Sequence, residues 1–94
     1  MRPIGTRERQ IIQLYSECQL TMTPEQFYQK WDVSYEIMAD ICWRSPSTVA
    51  GWFRRGGSHR HPTANDMRHL ALMDLLLECY EDIPPFWRQR LYLE

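Results

Sequence analysis

The sequence predicts an all-α protein, a compact bundle of about five to six helices forming one domain over residues 1–94. Three observations predict it. Apolar residues recur at three- and four-residue spacing along most of the chain, Ser or Thr stands ahead of these runs where a helix cap belongs, and no segment alternates as a half-buried strand would. Ninety-four residues, 44% of them apolar, suit one small core without an interdomain linker or internal repeat.

The elements follow in order. Ile4, Ile11, Leu14, Tyr15, Cys18 and Met22 mark one apolar stripe, which predicts a first helix over Thr6–Leu20. Thr23-Pro24-Glu25-Gln26 is a capping box with proline at the first helical position, so a short second helix runs from Pro24 to about Trp31 and buries Phe27 and Trp31. Asp32 or Ser34 caps a third helix, about Tyr35–Trp43. Ser45-Pro46 opens a fourth, to about Arg55, with Gly56-Gly57 as its stop. After a polar, basic loop at Ser58–Pro62, Thr63 caps a long helix, about 64–81, and Pro84-Pro85 separates it from a closing segment, Phe86–Leu93.

The net charge of −1 conceals a polarised chain. Between Ile41 and Asn65 there is no carboxylate, while Arg44, Arg54, Arg55, Arg60, His59 and His61 all lie there; acids gather at Asp74, Glu78, Glu81 and Asp82. Such a molecule can hold one face against a polyanion and keep the other soluble. Ten of the eleven basic residues are arginine, whose planar fork grips a phosphate or a guanine edge at two points. Cys18, Cys42 and Cys79 are odd in number, widely spaced and each on an apolar stripe, which predicts reduced core thiols. A zinc site built from them with His59 and His61 is not expected, since no Cys-x-x-Cys pair is present. No run approaches the roughly eighteen apolar residues of a membrane span, and the start MRPIGTRERQ lacks the apolar segment of a secretory signal, so a soluble cytoplasmic protein is expected.

Within 35–55, the stretch IMADICWRSPSTVAGWFRR reads as two short helices joined by a tight turn. It resembles the helix-turn-helix motif of bacterial and phage regulators of the Cro and repressor type. Ala39, Val49 and Trp52 occupy the places where that roughly twenty-residue pattern carries a small residue in the first helix and a branched and a bulky one in the second. The spacing has a steric cause: Ala39 lies where the helices cross most closely, and Val49 and Trp52 pin the second helix to the core. The chain departs from the motif at Trp43, where the turn usually carries glycine. A left-handed backbone there costs a non-glycine residue about 1–2 kcal/mol, so the sequence leads one to expect either a different turn or burial of the indole. The order Val49-x-x-Trp52-Phe53 also looks like a homeodomain third helix, but the adenine-reading asparagine is absent.

The resemblance implies a sequence-specific binder of double-stranded DNA, a transcriptional regulator without cofactor. At about 100° per residue, Val49, Trp52 and Phe53 share one side of the fourth helix. Ser47, Ala50, Gly51, Arg54 and Arg55 share the other. Base reading is assigned to Ser45, Ser47, Ala50, Gly51 and Arg54, where arginine can bond guanine and small side chains let the backbone approach the bases. Phosphate contact is assigned to Arg44, Thr48, Arg55, His59, Arg60 and His61, and Arg2, Arg7 and Arg9 form a candidate basic arm. Leu72, Met73, Leu75, Leu76, Leu77, Cys79 and Tyr80 cover roughly 200° of the long helix, which asks for two neighbours. The second is either Ile83, Phe86, Trp87, Leu91 and Leu93 or another copy of the chain, a homodimer meeting through Leu72, Leu76, Cys79 and Ile83. An enzyme is not expected, since nucleophile, phosphate-loop and metal motifs are all missing and His69 reads as structural. The same residues also fit a protein-interaction module docking on a polymerase, recombinase or toxin, or an accessory factor of a mobile element.

Overall fold

The computed structural model describes residues 1–17 and 19–90; Cys18 and the expected closing residues Leu91 and Leu93 lie outside them. The described chain is all-helical: α1 (Thr6–Ser16), α2 (Pro24–Lys30), α3 (Tyr35–Cys42), α4 (Pro46–Phe53), α5 (Ala64–Glu78) and α6 (Pro85–Arg90), with single 3₁₀ turns at Gly56–Ser58 and Tyr80–Asp82. It forms a small helical bundle in which α3 packs on both α4 and α5, and α2 on α5.

Four helix starts are set by side chains. Thr23 Oγ1 accepts from the Gln26 N–H at 3.1 Å, and Gln26 returns the bond to the Thr23 N–H at 2.9 Å. Ser34, rather than Asp32, caps α3 through the Ile37 N–H, and Ser45 caps α4 through the Thr48 N–H. At α5, Thr63 Oγ1 accepts from the Asp66 N–H while Asp66 Oδ2 accepts from the Thr63 N–H and hydroxyl. Each cap satisfies a backbone donor that the helix leaves open, worth about 1 kcal/mol.

The core lies between α2 and α5. Phe27, Met38, Ala39, Cys42, Val49, Trp52 and Leu70 are buried together, with Met22, Trp31, Val33, Tyr35, Ile41, Phe53 and Met73 half-covered around them. Ala39, on α3, is buried in this core, and α3 packs on α4 and α5. The Trp52 indole N–H is buried without a hydrogen-bond partner among the described residues, a cost of about 1–3 kcal/mol that the packing of the largest buried side chain must outweigh. Polar ties hold the periphery: Lys30 bridges Asp74 at 2.8 Å and Glu78 at 2.7 Å, and the Trp31 indole donates to Asp74 at 3.0 Å, clamping α2 to α5. Chiefly the hydrogen bond from Lys30 holds the Asp74 carboxyl below its ordinary range, against the opposing effect of desolvation.

Several expectations are corrected. The first helix ends at Ser16 and buries no residue; Ile11, 60% exposed, Leu14 and Tyr15 stand largely in solvent. The long helix ends at Glu78 and buries Leu70 and Ala71, whereas Leu75, Leu76 and Leu77 remain exposed. α6 does not cover them, because its own Phe86 and Trp87 are exposed and meet each other edge to face. Cys42 is a buried free thiol that burial pushes up to about 11, but Cys79 is exposed, and so is His69.

The α3–α4 turn is the largest departure. Trp43 adopts the left-handed conformation, φ 57° and ψ 45°, so the turn has the geometry a glycine would give it. No burial compensates: the indole is 89% exposed. The strain is imposed from outside, since the Arg44 N–H donates to the Ala39 carbonyl at 2.9 Å and Arg44 Nε lies 3.2 Å from Asp66 Oδ1.

The buried Ala39 and Trp52 lead to a direct test. Ala39→Leu, by overpacking, and Trp52→Ala, by leaving a cavity, should each destabilise the fold by about 2–5 kcal/mol in thermal unfolding. Parent-like melting of both would mean that the helices do not depend on this packing.

Candidate nucleic-acid interface

The candidate site is built from the turn 43–45, α4 and the loop 54–62. α4 stops at Phe53 rather than reaching Arg55, because the Gly51 carbonyl accepts from the Arg54 N–H at 3.3 Å and from the Arg60 N–H at 2.9 Å instead of from the next helical donor. The chain then turns at Gly56, whose φ of 78° favours glycine, and folds back along the helix. Arg54 and Arg55 therefore stand on an extended, exposed segment at the helix end.

This return corrects the reading of Gly51. Gly51 is buried, and a Cβ built on it would stand 2.9 Å from Arg60 Cδ and 3.1 Å from Cγ. Its missing side chain makes room for the protein's own Arg60, not for a base. Arg60 itself stays exposed beyond its stem. Of the other residues assigned to base reading, Ser45 and Ser47 are exposed at the start of α4 and Ala50 is half-buried. Ser45 Oγ lies 3.2 Å from Ser47 Oγ and 2.9 Å from Thr48 Oγ1, so the three hydroxyls form one linked cluster.

Among the residues assigned to phosphate, Arg44 is not a free cation. It is paired with Asp66, which is 3% exposed and the one charged residue buried among those described. His59 and His61 meet edge to face, with His59 Nε2 3.3 Å from His61 Nδ1, and His59 Nδ1 lies 2.7 Å from the Arg54 carbonyl. That bond makes Nδ1 the donor and fixes the backbone that carries Arg54. The structure thus brings Arg54, Arg55 and His59 together in one shallow groove with Trp52, Phe53 and Gly56, and leaves Ser45, Ser47, Thr48 and Arg44 at the opposite end of α4.

Two features escaped sequence reading. Glu25, from the first turn of α2, lines the same groove as Arg54 and Arg55, so a stretch free of acids in sequence is not free of them in space. An aromatic cluster gathers on Phe53, which lines the groove: Tyr35 stacks on Phe53 with centroids 4.8 Å apart, and Tyr28 leans on both. The α5 residues assigned to a dimer face are in part available, with Leu76 and Cys79 exposed and Leu72 and Ile83 half-buried. An apolar groove runs beside them between Ile11, Leu14, Tyr15 and Leu20 on one side and Leu72 and Leu75 on the other. Among the described residues no group of three or more His, Cys, Asp or Glu side chains converges on a point where a metal could sit, and no helix is long and apolar enough to cross a membrane.

The packing of Gly51 separates its two readings. Gly51→Leu should destabilise the fold by about 1–3 kcal/mol, because the new side chain must displace the Arg60 stem and break the Arg60–Gly51 hydrogen bond. Thermal melting checks this; a position open to solvent would accept leucine without loss.

Compared with known proteins, the chain matches no protein-family model, no curated protein and no solved structure.

Proposed function

We propose that the chain is a sequence-specific binder of double-stranded DNA, a transcriptional regulator in which α3 and α4 act as a helix-turn-helix. One observation carries the reading: α4 is pinned to the core by Val49 and Trp52, while exposed hydroxyls stand at its start and two exposed arginines on the extended segment just beyond its end. An α-helix fits the major groove, and its first residues reach base edges most easily. Ser45, Ser47 and Ala50 take that role, with Thr48 on the phosphate beside them. Arg54 and Arg55, beyond the last turn, reach along the groove or to its wall, and Arg60, His59 and His61 supply charge from the loop.

Selection from a random duplex pool by gel shift tests the reading. Arg54→Ala should then remove base discrimination worth about 1–3 kcal/mol and leave the melting temperature unchanged. Arg60→Ala should weaken binding to all sequences alike and flatten the log-log salt slope by about one. Unchanged sequence preference for the first, or a sequence-selective loss for the second, would reverse the assignments. A parent chain that enriches no sequence refutes the regulator reading.

A second reading is favoured by the exposed apolar residues of α1, α5 and α6: they suit a protein surface, which in a regulator is the second copy of a homodimer and otherwise a polymerase, recombinase, toxin or mobile-element partner. Leu76→Glu should dissociate a dimer in sedimentation and weaken full-site binding more than half-site binding, with helicity retained by circular dichroism. A parent that sediments as a monomer at all concentrations turns this face over to a different protein.

A further inference from the structure

Left-handed backbone, full exposure and a large apolar side chain rarely coincide. Glycine would relieve the strain at residue 43, and a polar residue would spare the exposed apolar surface. The side chain present does neither, and backbone strain of this kind, held in place by the surrounding structure, points toward function. Here that structure is explicit: the Ala39 carbonyl takes the Arg44 N–H, and Arg44 is fastened to buried Asp66. The indole is therefore presented from a rigid turn, directly before the hydroxyl cluster of Ser45, Ser47 and Thr48.

We propose that Trp43 is a DNA-contacting residue, laying its ring against the sugar edge of the duplex beside the groove that α4 enters and offering its N–H to a phosphate. The inference rests on the DNA-binding reading and adds a contact that the charge pattern does not contain. Duplex DNA is favoured over a protein partner by what surrounds the ring in the chain. Three hydroxyls, Ser45, Ser47 and Thr48, follow it at the start of α4, and the charge of Arg44 beside the ring is taken up by Asp66; Asp40, one turn earlier on α3, is the nearest opposing charge in sequence. An amphipathic ring with one donor suits a sugar-phosphate surface.

The strain makes the test unusually clean. Trp43→Gly, and Trp43→Asn as a second residue that tolerates this backbone, should melt at or above the parent temperature yet bind the selected duplex at least about ten-fold more weakly, as for a tryptophan buried in an interface. Because the ring carries no charge, the salt slope should stay at the parent value, unlike that of Arg60→Ala. Trp43→Phe should recover most of the affinity. Binding of the glycine and asparagine variants within two-fold of the parent would overturn the proposal while leaving the DNA reading intact, and so would a fall in melting temperature in both. A parent chain that binds no duplex removes the two together.

Discussion

Two oxygens of one carboxylate organise this molecule. Asp66 closes the first turn of α5 with Oδ2 and holds Arg44 with Oδ1, so the start of the longest helix and the end of the α3–α4 turn are tied at one buried point. The thiol of Cys42 lies 3.5 Å from its backbone carbonyl, adding α3 to the same junction. A buried carboxylate without partners would be severely unfavourable, and breaking such a pair costs more than forming it gains. The junction therefore acts as a geometric lock: with all its partners in place it sets how α5 lies against the α3–α4 pair.

The lock explains why a strained turn survives in so small a protein. The core is confined to α2–α5, and the outer helices α1 and α6 bury no residue. A left-handed tryptophan costs about 1–2 kcal/mol, a large share of what a domain of this size can spare. It persists because the Ala39 carbonyl captures the Arg44 N–H and Arg44 is held by Asp66, the one charged residue buried among those described.

What could be read in advance was local. The starts of α2, α4 and α5 follow from Thr23, Ser45 and Thr63, each with its polar or proline neighbours, and the burial of Ala39, Val49 and Trp52 follows from their apolar character and spacing. What could not be read was the identity of each neighbour. The stripe Ile11, Leu14, Tyr15 has the period of a helix, but the period records only that one side is apolar, not that anything covers it. The end of α4 is not visible in the sequence because the donor that takes the Gly51 carbonyl, Arg60, sits nine positions away, and the role of Asp66 is hidden there because Arg44 lies on a different element. Glu25 reaches the groove from α2 for the same reason. Of the candidate interface, the residue types were legible; their grouping into a hydroxyl end and an arginine end was not.

The seat of Arg60 on Gly51 has one more consequence. Helix and loop share a backbone hydrogen bond and a side-chain contact, and the loop's His59 holds the carbonyl of Arg54, so the end of α4 and the loop 54–62 cannot shift separately. Energies measured across Gly51, Arg54, His59 and Arg60 will then be non-additive, with coupling terms as large as the single effects. On the proposed reading, affinity and sequence preference are a single mechanical property of this jaw, and an attempt to strengthen one by altering the loop will retune the other.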